Sequence, residues 1–182
     1  MIIETERLIL RPWELTDAEA LYRYARDPEV GPIAGWPPHI SVGYSREIIR
    51  LTLSSPETYA VVPRDAGGPV GSIGLMPGQR SNIPIGDDEA EIGYWIGVPY
   101  WGQGLIPEAV EALCRRGFED LDFKALWCGH FRGNEKSHRV WEKCGFTYHH
   151  TEENIFWPMM GDIRTEIIAR LGRDEWEARQ NG

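Results

Sequence analysis

The amino-acid sequence predicts an α+β (mixed α/β) domain built around one central sheet, and three observations carry that reading. Strand and helix signals alternate along the chain instead of falling into separate blocks. Glu89 to Val98 is the clearest strand, with Ile92, Tyr94, Ile96 and Val98 alternating with Glu91, Gly93, Trp95 and Gly97. Directly after it, Pro99 to Gly104 turns the chain into a helix running to about Glu119, with Val110, Leu113, Cys114, Gly117 and Phe118 on its apolar side. A chain of 182 residues can bury a sizeable core without staples, and no linker, repeat or low-complexity segment interrupts it. Residues 1–182 are therefore expected to form a single domain.

The elements follow in order. Thr5 to Trp13 alternates, with Leu8, Leu10 and Pro12 on one face, and reads as the opening strand. Thr16-Asp17-Ala18-Glu19 is a helix-start signal with Thr16 as cap, and Ala20, Leu21, Tyr24 and Ala25 supply the stripe of a helix to about Arg26. Gly31, Pro32, Gly35, Pro37 and Pro38 mark Pro28 to Ile40 as a loop, and Ser41 to Leu53 reads as a second helix. Tyr59 to Pro63 and Pro69 to Met76 read as strands joined by the hairpin signal Asp65-Ala66-Gly67-Gly68. A polar loop from Pro77 to Asp88 leads into the Glu89 strand. Ala125 to Phe131 is a strand, Glu135 to Lys143 a helix stopped at Gly145, and Phe146 to His150 and Ile163 to Leu171 the final strands.

Composition excludes several functions. A net charge of -9 disfavours sequence-independent nucleic-acid binding, which depends on neutralising phosphates, and suits cationic partners such as amines. No apolar run approaches the length needed to span a bilayer, and the charged N-terminus has no signal-peptide core, so a cytoplasmic protein is expected. Cys114, Cys128 and Cys144 are scattered and read as buried inert thiols. His149-His150 with Glu152 and Glu153 matches no named metal spacing, so no metal is expected.

Two segments carry chemistry. In Val98-Pro-Tyr-Trp-Gly-Gln-Gly-Leu-Ile-Pro-Glu-Ala109 a strand ends, a glycine-bearing loop turns and a helix begins. First-turn amides of a helix lack internal partners, and the helix dipole adds positive potential, which suits a pyrophosphate. Gly102 and Gly104 remove the Cβ atoms that would block approach. The segment is neither a P-loop nor a Gly-x-Gly-x-x-Gly fingerprint, and an ordinary tight turn fits the local pattern equally. In the second segment Asn134 can cap a helix or bond the amides of an extended ligand, and Ser137 lies one turn on. Trp36 and Trp157 are candidates to line an acceptor pocket, whereas Glu108 and Glu111 serve the dipole of the loop helix.

Together these segments resemble the GNAT superfamily of N-acetyltransferases, and more closely its RimJ/RimL-like subgroup, which includes ribosomal-protein N-terminal acetyltransferases. The resemblance rests on Thr5-Glu-Arg-Leu-Ile-Leu-Arg-Pro12, Ala90-Glu-Ile-Gly-Tyr-Trp-Ile96, Trp101-Gly-Gln-Gly-Leu-Ile-Pro-Glu-Ala109 and Asn134-x-x-Ser137 through Gly145-Phe146, in the expected order over nearly the whole chain. It implies a mostly antiparallel mixed sheet, flanked by helices and splayed between Glu89–Val98 and Ala125–Phe131 to hold acetyl-CoA as co-substrate. Backbone from Ile96, Gly97 and Val98 would meet the pantetheine and acyl carbonyl. Amides of Gly102, Gln103, Gly104, Leu105 and Ile106 would hold the pyrophosphate and Asn134 the pantetheine arm, with Trp101 also counted in the cofactor site. The reaction implied is direct attack of a deprotonated primary amine, of a protein N-terminus or a small molecule, on the thioester, with an amide of the central strand stabilising the oxyanion. Glu91 is the candidate general base, with Glu89 and Asp88 as rivals. The sequence departs from the family at Trp141, where many members carry a proton-donating tyrosine, and Ser137 is the candidate substitute. That departure keeps open a catalytically inactive acyl-CoA-binding sensor or scaffold. A homodimer is also open.

Overall fold

The Glu89 strand occupies the middle of an eight-stranded sheet ordered β1-β2-β3-β4-β5-β6-β8-β7 in the computed structural model, which describes residues 1–182. The strands are β1 (Ile3–Glu4), β2 (Leu8–Arg11), β3 (Thr58–Pro63), β4 (Gly71–Pro77), β5 (Glu89–Ile96), β6 (Ala125–Phe131), β7 (Thr147–Trp157) and β8 (Asp162–Gly172). Every neighbouring pair is antiparallel except β5 and β6, which run parallel. The helices are α1 (Ala18–Ala25), α2 (Gly31–Ala34), α3 (Val42–Ile48), α4 (Leu105–Arg115), α5 (Glu135–Lys143) and α6 (Arg173–Gln180).

The strand alternation forecasts which face is buried. Leu8 and Leu10 point to one side of β2 and are fully buried, as are Leu75 on β4 and Leu126 on β6. Helix α4 lays Leu105, Ile106, Ala109, Val110, Leu113 and Cys114 onto this face and closes the main core. The other face receives α1 and the α3 segment, where Leu21, Ala25 and Ile49 pack with Trp13 and Ala60. The two helical layers lie against opposite sides of one sheet.

Several elements depart from the sequence expectations. Thr16 does not cap α1. Asp17 organises the entry instead, accepting from both Arg11 guanidinium nitrogens at 2.7 and 2.8 Å and from the Glu14 amide at 2.9 Å, over a short 3₁₀ turn at Leu15–Asp17. The Ser41 to Leu53 helix is α-helical to Ile48 and finishes as a π turn at Ile49–Leu53. The α4 helix likewise ends in a π turn, Arg116–Asp120. The predicted opening strand narrows to Leu8–Arg11, and Ile3–Glu4, ahead of the predicted range, folds back on it, with the Leu8 amide donating to the Thr5 hydroxyl at 3.0 Å between them. β7 runs far beyond the predicted Phe146 to His150, whereas β8 matches the predicted Ile163 to Leu171 to within one residue at each end. β7 is a mostly exposed edge strand, so its sequence carries no apolar alternation to read. Helix α6 was missed because Trp176 is its one buried side chain.

Candidate active site

The site begins with a change in sheet geometry. β5 and β6 pair only at Glu89–Glu91 with Ala125–Trp127, and then part. Beyond that point the β6-facing edge of β5 has no strand partner. The Gly97 amide donates to Val70 on the β4 side at 2.8 Å. Amide direction alternates along a strand, so the Tyr94 and Ile96 N–H groups point into the gap. The Ile96 carbonyl faces the same way and accepts from Trp101 Nε1 at 2.9 Å.

At the end of the gap the chain turns through Gly102 (φ +72°) and Gly104 (φ +75°) into α4. Both are left-handed conformations that a side chain resists, and they are the reason glycine stands at these two positions. The turn leaves the backbone amides of Gly102, Gln103, Gly104, Leu105 and Ile106 without a hydrogen-bond partner, followed by Pro107, which has none to offer. Five consecutive free donors at a helix N-terminus form an anion cradle. Arg7 holds the cradle from behind. Its guanidinium donates to the carbonyls of Gln103 at 2.8 Å and Gly104 at 3.1 Å, and to Glu108 at 2.6 Å. Glu108 also accepts from the Thr5 hydroxyl at 2.5 Å and the Arg7 amide at 2.8 Å. Tying down the carbonyls turns the amides outward. Glu108 is thus an anchor for the loop, beyond the dipole role its position in α4 suggests.

The gap and the cradle open into one cleft of about 730 Å³ between α2, β5, α4 and α5. Of the residues the sequence singled out for the cofactor, Ile96, Trp101, Gly102, Gly104, Leu105, Ile106 and Asn134 line it. Gly97 and Val98 do not. A Cβ on Gly97 would come within 2.5 Å of the Tyr24 ring, so this glycine serves the packing of α1 on β5. The Gln103 side chain turns back to Pro99 O at 3.0 Å, and only its backbone amide belongs to the cradle. Asn134 keeps both of its sequence readings: its Oδ1 accepts from the Ser137 amide at 3.3 Å as a helix cap, and it stands in the cleft wall. Lys136, Arg139 and Lys143 share the cleft side of α5 and put exposed cations along the rim. The amide cradle and these cations fit a phosphorylated ligand such as the nucleotide part of CoA.

Ser137 reaches the cleft, and beside it stands a residue the sequence reading missed. The Tyr94 hydroxyl lies 3.0 Å from Ser137 Oγ and donates to Ser137 O at 3.1 Å. Burial pushes the Tyr94 phenol well above its ordinary value, so it stays protonated. Strand alternation puts Tyr94 on the face opposite Glu91, but only the packing of α5 over β5 brings Ser137 to it. Trp141, at the usual tyrosine position, is buried away from the cleft, and its Nε1 donates to His130 Nδ1 at 2.9 Å. Burial lowers His130 to about 4, which keeps that nitrogen free to accept.

Glu91 lies on the other face of β5, also buried. Its Oε2 accepts from Ser81 Oγ at 2.8 Å and from the Asn82 amide at 2.7 Å. Burial raises its pKa, against the lowering effect of these bonds. The rival carboxylates are otherwise engaged: Glu89 accepts from Trp127 Nε1 at 3.1 Å, and Asp88 pairs with Lys124. Trp36 and Trp157, read as acceptor-side candidates, each pack on a ring of the sheet. Trp36 packs on Trp95 with ring centroids 5.4 Å apart, and Trp157 on Phe131 at 4.9 Å.

A family model described as "Acetyltransferase (GNAT) domain" matches residues 7–147. The chain is 32% identical over 127 residues to the uncharacterized N-acetyltransferase p20 of Bacillus licheniformis, covering 67% of this chain and 68% of that protein. It is 41% identical over 65 residues, 36% of each chain, to the putative ribosomal N-acetyltransferase YdaF of Bacillus subtilis (strain 168). A GNAT-family acetyltransferase structure from Bacillus anthracis superimposes with a TM-score of 0.80 at 21% identity, over 96% of this chain and all of that one (100%), which establishes likeness of fold. A putative ribosomal-protein-serine acetyltransferase structure from Vibrio cholerae gives 0.76 at 26% identity, over 94% and 97%.

Proposed function

Because the chain belongs to the GNAT acetyltransferase family and is an acyl-CoA N-acyltransferase, we propose that it transfers acetyl from acetyl-CoA to the nitrogen of a primary amine. The observation that carries this reading is the run of five unpaired amides from Gly102 to Ile106, which opens on the same cleft as the gap between β5 and β6. The cradle and the α5 cations bind the phosphates. The Tyr94 and Ile96 amides, on the unpaired edge of β5, take the thioester oxygen as it gains charge. Acetyl-CoA supplies the activated acyl group. A buried carboxylate on the Glu91 face receives the ammonium proton, and the Ser137–Tyr94 hydroxyl pair protonates the departing thiolate. That pair answers the absence of a tyrosine at position 141 and weakens the reading of an inactive sensor.

For the acceptor, the two relatives with ribosomal names favour a RimJ/RimL-like enzyme that acts on a peptide amine. The three cysteines are all free and buried, in keeping with a reducing cytoplasm. No helix is long and apolar enough to cross a membrane. The test is thiol release from acetyl-CoA with a panel of peptide N-termini and small primary amines. Amine-dependent release with acetylated product supports transfer. Tight acetyl-CoA binding with no release above hydrolysis for any amine would overturn it in favour of a sensor.

A further inference from the structure

Glu166, which neither the sequence motifs nor the cleft lining single out, is a buried carboxylate with no partner. It is 7% exposed, makes no hydrogen bond and joins no ion pair, whereas the nearby Arg164 is tied to Asp162 and to Pro32 O. Trp176 Nε1 is the one fully enclosed side-chain polar atom without a partner, so the Glu166 oxygens keep a narrow contact with solvent. An unpaired buried charge is costly, and such groups concentrate where a ligand supplies the missing partner.

Its position follows from register. Phe131 on β6 pairs with Glu166 on β8, and the side chain leans along the sheet over Gly129, where a Cβ would come within 2.9 Å of its Cδ. Glu91 pairs with Trp127, so two residues further on Gly93 and Gly129 stand on the same face at either side of the gap. Neither has a side chain of its own: Glu166 lies over Gly129, and Met76 Cε stands 3.1 Å from where a Cβ on Gly93 would be. Another two residues on are Trp95 and Phe131, which with Trp36 and Trp157 form an aromatic rim. The layout is a carboxylate at the inner end, two glycines at the gap and indole and phenyl rings outside.

We propose that Glu166 is the residue that touches the acceptor amine: it binds the ammonium of a cationic substrate entering between the aromatic side chains and takes its proton at the β5–β6 gap. This rests on the acyl-transfer reading above. The first nitrogen proton passes to Glu166 and frees the lone pair. The N–C bond forms as the C–S bond breaks. The second nitrogen proton replaces the one that the hydroxyl pair gives to the thiolate. Glu166 then releases its proton to solvent, so one proton leaves per turnover. Glu91 acts through Glu166. Both Glu91 Oε2 bonds come from the Ser81–Asn82 segment, so Glu91 is held in place, and its charge makes Glu166 more basic. The charged groups facing Glu166 are Glu91 on β5 and Glu152 on β7, the latter 3.2 Å from His150 Nε2, and Arg164 on its own strand. Burial and the two glutamates push Glu166 up to about 7, the range in which a base works best near neutral pH.

The experiment uses phenethylamine as probe, a primary ammonium on an aromatic body. It is titrated calorimetrically into the CoA-saturated wild type, Glu166→Gln and Glu91→Gln, with a parallel acetyl-CoA titration of each. The wild type should bind the amine. Glu166→Gln should lose at least about tenfold in amine affinity with acetyl-CoA affinity unchanged, and Glu91→Gln should keep the amine. Where phenethylamine is acetylated, Glu166→Gln should slow turnover by about a hundredfold or more and flatten the acidic limb of the pH profile, while Glu91→Gln moves that limb to lower pH. Absence of amine binding in the wild type, or equal binding in Glu166→Gln, overturns the proposal. So does loss of binding confined to Glu91→Gln. Failure of the wild type to bind acetyl-CoA instead overturns the transfer reading.

Discussion

At the scale of single residues, the active site is assembled from side chains whose roles depend on what they touch. Ser137 could be picked from a motif, but Tyr94 could not, since its role depends on α5 lying over β5. Removing either hydroxyl should slow acyl transfer on the order of a hundredfold while leaving acetyl-CoA affinity intact. Because the pair acts as a unit, Tyr94→Phe with Ser137→Ala should cost little more than the worse single change. Steady-state rates of the four proteins check this, and additive losses would assign the hydroxyls separate roles. Glu166 also leaves a mark on stability. Its carboxyl is raised from the ordinary 4.5 to about 7. A group that holds its proton more tightly folded than unfolded loses stability as pH rises between those values, and the full cost stands above 7. Glu166→Gln should therefore be more stable than wild type at pH 8, by at most about 3 kcal/mol, and equal to it at pH 4. Urea unfolding at the two pH values measures it, and a variant destabilised at pH 8 would contradict the unpaired charge.

At the scale of elements, the α4 N-terminus matters most, and its sequence was legible because glycine conformation is local. Gly102 and Gly104 announce a left-handed turn whatever packs around them, and the helical stripe that follows fixes where the amides point. Arg7 was not legible. It lies about a hundred residues away in sequence, and only the packing of β2 beside α4 brings its guanidinium under the loop carbonyls. Arg7→Ala should leave the fold intact, since the side chain is about half exposed (47%), but loosen the cradle. The expected loss is about tenfold in acetyl-CoA affinity, the scale of one charge-assisted hydrogen bond. Calorimetry checks it, and unchanged affinity would mean the loop holds its shape alone. The elements that sequence reasoning missed share a physical cause. β7 and α6 bury few side chains, so periodicity had little to record, and the Thr16 cap was displaced by a stronger local partner, the Arg11–Asp17 pair.

At the scale of the whole molecule, the parallel β5–β6 contact is short and the antiparallel partners on either side are long, so the sheet opens at its one parallel pair without losing continuity. The order of motifs made the splay an expectation of family resemblance, whereas its extent, three paired residues and then a gap, came only from the register. The core under α4 holds the two halves together. Leu113, fully buried in it, should cost about 2–5 kcal/mol when cut to alanine, and chemical unfolding measures that loss. A loss under 1 kcal/mol would mean that α4 is not the keystone of the core. The central claim is that the Gly102–Ile106 amides and the β5–β6 gap form one acetyl-CoA site. The most direct measurement is calorimetric titration of acetyl-CoA into the wild type and into Gly104→Glu, which forces a side chain onto a backbone at φ +75° and directs a carboxylate at the Arg7 guanidinium that holds the cradle. One-to-one binding by the wild type, and its loss in a folded variant, is the expected result. Equal affinity in the two proteins, or no binding by the wild type, would contradict the account.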